Sequence, residues 1–379
     1  MAGIYIHIPF CKQKCHYCNF YSIVSLKHIK GFLTALLSEI NLQKNYLQNE
    51  VVKSIYFGGG TPSVLRTSEI TLILNEIFKT YNVDSNAEIT LEANPDDITL
   101  TKLNDLKKTP INRLSIGIQS FNDKDLKYLK RIHNSEQALN SIKLARDAGF
   151  TNLSIDLIYG IPTLTKESWT KNLEYFFNSD IPHLSAYSLT IEPKTILNKL
   201  ILQKKVQAPD ENQSIEHFKI LLELIKQNNF IHYEISNFCK DDFYSKHNSI
   251  YWLGGNYLGL GPSAHSYNGY SRQWNVSNVS QYINPENYKN IVFEKEILTK
   301  EQKYNEYVMT SLRTIWGCDL EYIKKTFGEN FHKFVLKESL KFIKQELLVF
   351  EQNKLFLTDK GKLFADGIAS GLFKVKINM

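Results

Sequence analysis

A chain of 379 residues is longer than one hydrophobic core usually supports, so two or three folded units are expected. Hydrophobic residues make up 43% and charged residues 22%, the ordinary globular range, and no apolar run approaches the ~18 residues of a membrane-spanning helix. The net charge of +6 favours anionic small molecules, an acidic membrane surface or nucleic acid, without choosing among them.

The chain opens Met-Ala-Gly-Ile-Tyr-Ile-His-Ile-Pro-Phe-Cys11, with no basic segment leading into a long apolar core, so no signal peptide is read. Ile4–Ile8 is the first strand. It runs straight into Cys11-Lys-Gln-Lys-Cys15-His-Tyr-Cys18. Five cysteines are an odd count, and three of them lie in this one short run. That is a poor disulfide framework and a good metal-ligand cluster, which places the chain in a reducing compartment, most simply the cytosol. Thiolates suit iron–sulfur clusters and zinc alike. Zinc would need a fourth ligand, with His16, His7 or Cys239 available, whereas three thiolates leave one corner of a cubane open to an external chelator.

Five further strands follow at Lys53–Phe57, Ala87–Ala93, Arg113–Ile118, Leu153–Ile158 and His183–Leu189. Between and after them lie helical patterns near 25–48, 67–80, 99–108, 122–148 (broken near His133), 166–179 and 210–228. Such alternation implies a parallel sheet with right-handed crossovers, and a partial barrel is preferred over a two-half nucleotide fold. The expected class is therefore α/β, a partial (β/α)6 barrel over residues 1–230. Residues 231–298 read as a loop-rich connecting segment of aromatics, Asn, Gly and Ser. Residues 299–379 read as a small winged-helix-like module: helices near 300–315, 319–326 and 331–345, a hairpin, and a last helix from Asp359 to Ser370. A plain helical cap is the alternative.

Barrel enzymes place their chemistry at the C-terminal ends of the strands. Strand two runs into Gly58-Gly59-Gly60-Thr61-Pro62, where glycines let the backbone approach a ligand, although a tight turn would use the same residues. Strand three ends with Glu92, strand four with Ser115, Gly117 and Gln119 on one face, and strand five carries Asp156 in an apolar run. One buried carboxylate is as readily a structural ion-pair partner. Polar interruptions at equivalent ends of successive strands describe a ligand site.

The C-x3-C-x2-C run with an aromatic before its last cysteine resembles the radical-SAM signature. The phrases IHIPFC, FGGGTPS, LEANPD, RLSIGIQSF, LKRIHN, SIDLIYGIP and HLSAYSLTIEP resemble the oxygen-independent coproporphyrinogen III oxidase-like family over nearly the whole chain. The resemblance implies a [4Fe–4S] cluster on Cys11, Cys15 and Cys18, with S-adenosylmethionine (SAM) on the fourth iron. It implies that Tyr17 lies beside the cluster and adenine, and that Tyr5, Gly59, Gly60, Thr61, Glu92, Gln119, Arg131 and Asp156 line the SAM pocket. In that carry-over Arg131 takes the methionine carboxylate, which suits a guanidinium fork.

Two departures separate this sequence from the oxidases of that family. Their pattern carries a fourth cysteine two places after the third, where this chain has Phe20, and a longer segment before the first cysteine, where this chain has ten residues. Both favour the family's haem-chaperone branch. His247-Asn248-Ser-Ile-Tyr251-Trp252 is similar to that branch's HN-x-x-YW string; an imidazole can ligate haem iron and aromatic faces can pack on a porphyrin. By residues alone, His247 and Asn248 capping a turn while Tyr251 and Trp252 fill an interface is the stronger account, and only the resemblance tips the balance to haem; His265 is a second candidate ligand. Cys239 and Cys318 read as small apolar residues. The expected function is haem carriage to apo-haemoproteins, at the inner face of the membrane, with a homodimer left open. No residue is assigned as catalytic, and SAM cleavage is left open. Oxidative decarboxylation of coproporphyrinogen III is the alternative. RNA modification ranks lowest, because no basic stripe with interleaved aromatics supports a nucleic-acid partner.

Overall fold

A computed structural model describes residues 2–288 and 293–375. Six parallel strands, β1 (Ala2–Ile8), β2 (Val52–Gly59), β3 (Val83–Ala93), β4 (Arg113–Gln119), β5 (Leu153–Tyr159) and β6 (His183–Ser188), lie side by side in chain order. Helices return the chain between them: α1 (Ile29–Leu42), α2 (Thr67–Thr80), α3 (Leu100–Leu106), α4 (Asp123–Leu129), α5 (Ser135–Asp147) and α6 (Lys166–Asn178). The break expected near His133 separates α4 from α5. Lys130 closes α4 in the left-handed region, and Asn134 with Gln137 forms a reciprocal cap that starts α5.

Period-two alternation decides which side of each strand meets the helices. Ile4, Ile6 and Ile8 of β1 and Ile55 and Phe57 of β2 are fully buried on the outer face, under the helices. Each such side chain contributes ~1.5–3 kcal/mol of burial free energy. The opposite face holds Tyr5, His7, Ser54, Tyr56, Glu88 and Glu92, and parallel register aligns Tyr5 with Tyr56 and His7 with Gly58. The lumen is thus polar and aromatic, and its ligand-facing end is where β1 and β2 stop.

Past β6, α7 (Ile196–Leu202) packs beside the cysteine loop, a helix the sequence pattern did not announce, and α8 (Glu211–Gln227) follows. Residues 231–298, expected as loops and short strands on the barrel, instead widen the sheet at both edges. β7 (Ile231–Glu234) and β8 (Asn237–Cys239) extend it beyond β6. Next comes α9 (Lys246–Trp252), and then β9 (Asn256–Leu260), a seventh parallel strand on the free edge of β1. β10 (His265–Tyr267) and β11 (Ser271–Asn275) continue outward; α10 (Val279–Tyr282) lies between β11 and the edge strand β12 (Phe293–Ile297). The strand order runs from β12 to β7 without closing, which leaves the barrel partial.

The C-terminal part has its own hydrophobic cluster, built on Tyr304, Val308, Ile323, Phe331, Val335 and Leu355. Its order is α11 (Lys300–Leu312), β13 (Cys318–Asp319), α12 (Leu320–Phe327), α13 (Glu329–Lys344), β14 (Leu348–Glu351) and β15 (Lys354–Leu357), followed by α14 (Asp359–Lys362) and α15 (Ala365–Ser370). The three strands pair antiparallel as β13-β15-β14, a helix–strand–helix–helix–hairpin order of winged-helix type. Arg313 ties this unit to the sheet through Glu234 at 3.2 Å, and Arg272 of β11 reaches Glu306 at 2.9 Å.

Candidate cofactor site

The cysteine loop leaves β1 at Ile8 and is closed on itself where Ile23 donates to the Pro9 carbonyl (2.8 Å) and Cys11 donates to the Ile23 carbonyl (3.0 Å). Four further ties hold it from outside. Lys12 pairs with Asp96 at 2.8 Å and also with Asp97. Gln13 donates to the Lys130 carbonyl (2.8 Å), and the His16 amide donates to the Leu129 carbonyl (3.2 Å). The Leu197 amide of α7 donates to the His16 carbonyl (2.8 Å). Cys11 is buried, and Cys15 and Cys18 are half-buried. Three soft donors on one pinned loop, at the end of the lumen, fit an iron–sulfur cluster in donor type and placement. Among the described residues, no three His, Cys, Asp or Glu groups converge as a single-ion zinc site needs.

Gly60 lies directly beneath this loop. A Cβ there would stand 2.7 Å from the Phe10 carbonyl oxygen, 2.8 Å from that of Ile8 and 3.0 Å from Cys11 Sγ, so the close approach requires glycine. Gly59 has φ +105° and faces the His7 ring. Thr61 is buried, and its hydroxyl accepts from Asn94 Nδ2 at 3.4 Å. Asn94 Oδ1 in turn accepts from Arg131 Nη2 (2.7 Å), which also donates to the Gly117 carbonyl (2.8 Å), while Arg131 Nη1 lies 3.4 Å from Cys15 Sγ. A half-buried guanidinium thereby stands beside one thiol with its buried Nε unpartnered. Gln119 ends β4 in the left-handed region (φ +68°), where the β4–β5 register slips, and its amide folds back over Gly117.

The two acidic residues lie deeper. Glu92 Oε1 accepts from the Tyr56 hydroxyl at 2.8 Å. Burial, and secondarily the charge of Asp156, raises the Glu92 carboxyl to about 8, so it carries a proton at neutral pH. Asp156 is raised to about 6 by burial, opposed by hydrogen bonds from Ser185 and from Ser115, the latter at 3.3 Å. Near pH 7 the pair therefore offers one donor and one acceptor to a polar ligand. Tyr5 stacks near Tyr56 with ring centroids 6.2 Å apart, and half-buried Tyr17 lies close to Arg131 and Cys15.

Cys11, Cys15, Cys18, Tyr17, Gly59, Gly60, Thr61, Gln119 and Arg131 thus gather at one end of the lumen, with Tyr5, Glu92 and Asp156 along its wall. Lys12, Tyr56 and Asn94 join them without having been singled out. Lys12 and Tyr56 look like ordinary surface and strand residues in sequence, and only Asn94, next to Pro95 at a strand end, carried a signal.

The aromatic string sits elsewhere. α9 crosses the opposite, N-terminal end of the strands, where Glu88 accepts from the amides of Lys246 (3.2 Å) and His247 (3.1 Å). His247 points into the lumen and stacks on Tyr56 at 4.9 Å. Both of its ring nitrogens are engaged: Nδ1 with Ser54 Oγ at 2.8 Å and Nε2 with the Tyr251 hydroxyl at 2.9 Å. Burial lowers its pKa to about 3, which keeps it neutral. Asn248 is half-buried and its amide is capped by Ser245; Trp252 packs under Arg313, whose guanidinium lies 5.5 Å from the indole centroid. In this conformation His247 presents no free nitrogen to a metal.

Comparison with known proteins is specific. Residues 5–176 match the radical SAM superfamily and residues 298–364 match the HemN C-terminal domain. The chain is 35% identical over 335 residues, 87% of each chain, to the Bacillus subtilis protein named heme chaperone HemW. The chain belongs to the HemW family of radical SAM proteins. It is also 34% identical to the HemW of Escherichia coli, over 69% of each chain. The coproporphyrinogen III oxidase HemN of Escherichia coli, described as a radical SAM enzyme, shares the fold with a TM-score of 0.85 at 24% identity, covering 98% of this chain and 90% of that one. The match to the HemN C-terminal domain spans α11 to α14. Phe20, at the position where the oxidase pattern has its fourth cysteine, is 67% exposed beside the cluster loop.

Proposed function

We propose that this chain carries haem under the control of a radical-SAM centre and passes it to apo-haemoproteins. The observation that carries the reading is the three-thiol loop pinned over Gly60 at the same lumen end as Gln119 and Arg131, in a chain matched along 87% of its length by a protein named heme chaperone HemW. Cys11, Cys15 and Cys18 would hold the [4Fe–4S] cluster, which when bound supplies an iron corner for the amino and carboxylate groups of SAM. Arg131 offers the methionine carboxylate its unpartnered Nε. Glu92 as a neutral donor and Asp156 as an acceptor suit ribose hydroxyls, Tyr5, Tyr17 and Gln119 pack the nucleoside, and Gly59, Gly60 and Thr61 let backbone meet the methionine. The α9 residues His247, Asn248, Tyr251 and Trp252 enter as a conditional haem contact, open only once His247 gives up Ser54 or Tyr251.

Among the described residues no helix is long and apolar enough to cross a membrane. Cytosolic placement, delivery at the inner face of a membrane and a homodimeric state belong to this proposal. The test is anaerobic iron and sulfide analysis with EPR, then haem addition to the same sample and transfer to an apo-globin. Four irons per chain, a SAM-dependent EPR change and haem transfer are expected. Zinc or no metal at the thiols, or turnover of coproporphyrinogen III to protoporphyrinogen IX, would overturn the reading.

A further inference from the structure

One corner of the fold grips the cysteine loop at successive residues. Helix α4 ends at Leu129, Lys130 adopts the left-handed region, and the chain turns so that Arg131 reaches the lumen end. The Leu129 carbonyl accepts from the His16 amide (3.2 Å), and the Lys130 carbonyl accepts from Gln13 Nε2 (2.8 Å). Those two ties are mechanical. The third carries charge: among the described residues, one side-chain hydrogen bond reaches a sulfur of the loop, from Arg131 Nη1 to Cys15 Sγ at 3.4 Å.

Asn94, at the end of β3, aims that donor. A guanidinium has donors only, and Arg131 Nη2 spends its two on Asn94 Oδ1 (2.7 Å) and the Gly117 carbonyl (2.8 Å). Asn94 is itself fixed from three sides. Its amide donates to Ser63 Oγ (3.3 Å), its carbonyl accepts from the Asp97 amide (3.0 Å), and its Nδ2 donates to Thr61 Oγ1 (3.4 Å). The residue type matters here. A side-chain amide supplies one acceptor for the guanidinium and one donor for the Thr61 hydroxyl, and it has no net charge. A carboxylate in its place would also accept from Arg131, but it would cancel the positive charge and leave Thr61 without its donor. The neutral amide holds the guanidinium and leaves its charge directed at Cys15.

A hydrogen bond and a positive charge at a ligand thiolate favour the reduced, more negative state of an iron–sulfur cluster, and so raise its potential. We propose that Asn94 is a positioning residue for the radical-SAM centre: by holding Arg131 against Cys15 it sets the reduction potential of the cluster. This role is separate from any contact Arg131 makes with SAM. The inference rests on Cys11, Cys15 and Cys18 being cluster ligands, and it adds to that reading the residues that tune the cluster.

The test uses the full chain with its cluster reconstituted anaerobically, without SAM. Potentiometric titration is read by EPR of the reduced cluster, and resonance Raman follows the iron–cysteine sulfur stretches. Wild type, Asn94→Ala, Arg131→Met and the double variant are compared. At a fixed potential, the ratio of reduced to oxidised cluster should fall at least about tenfold in Arg131→Met, the effect of losing one charge-assisted hydrogen bond. It should fall severalfold in Asn94→Ala, and the double variant should match Arg131→Met, because Asn94 acts only through the guanidinium. The stretches should move to higher frequency in all three variants. Both readouts come from molecules that hold a cluster, so a variant that loads less iron is still measured. A midpoint unchanged in Asn94→Ala or in Arg131→Met, even with faster iron loss, leaves these residues a mechanical role and overturns the inference. So does an Asn94→Ala shift of equal size with and without Arg131. A wild-type protein that holds no four-iron cluster overturns the radical-SAM reading itself.

Discussion

Glu92 gives the sharpest physical test of the lumen. Its carboxyl faces the lumen, half-buried, and loss of solvation first, with the charge of Asp156 second, raises it from an ordinary 4.5 to about 8 against the hydrogen bond it accepts from Tyr56. The folded protein therefore holds this proton more tightly than the unfolded chain does. Between pH 4.5 and about 8 the native state carries the extra proton, so stability is fully present at the acidic end and falls as pH rises through the folded value. At ~1.4 kcal/mol per tenfold in proton affinity, the rise corresponds to a ceiling of about 5 kcal/mol. Relaxation and water entry around the ionised group reduce this to about 2–3 kcal/mol. Glu92→Gln keeps the shape and cannot ionise. Urea unfolding of metal-free, reduced wild type and Glu92→Gln at pH 5 to 9 should show near-equal stabilities at pH 5 and a growing advantage for the variant up to pH 8.5. Adding Asp156→Asn to both chains removes the neighbouring negative charge, so the folded-state value of Glu92 falls and the gap should be smaller and level off at lower pH. A gap that stays constant with pH, or favours wild type as pH rises, would refute the description of Glu92 as a half-buried, protonated acid.

Three further outcomes follow from single contacts. Gly60→Ala places a methyl 2.7–3.0 Å from two backbone oxygens and a cluster thiol, and should cut iron incorporation severalfold while circular dichroism stays native; full iron loading would show that the loop need not sit so close. Lys12→Met removes the ion pairs to Asp96 and Asp97 that tie the loop to the end of β3, and should speed iron loss to a chelator; an unchanged rate would make those pairs ornamental. His247→Ala strands the Ser54 and Tyr251 hydroxyls inside the barrel end, and should destabilise the fold by about 2–4 kcal/mol in denaturant unfolding; a change under ~1 kcal/mol would mean that α9 is not held through this ring.

The parallel core and the cluster loop were legible in the sequence because both are local signals. Apolar runs of strand length alternating with amphipathic helices identify the barrel, and three cysteines in one loop need no folding to be neighbours. Gly60 and Glu92 were legible as strand-end residues, yet their protonation and contacts were not. The proton on Glu92 depends first on burial that no local window reports, and then on Asp156, two strands away across the lumen. The α9 string shows the limit most clearly. Its residue types suit haem in isolation, but packing sends His247 into the far end of the barrel, where Ser54 and Tyr251 occupy both nitrogens. Residues 231–298 looked irregular because their strands are only three to five residues long and borrow their register from β1 and β6, which lie far away in sequence. Sequence determined the chemistry carried by each local run; only the tertiary structure decided which runs face one another, because burial and hydrogen-bond pairing between distant segments exist only once the chain has closed.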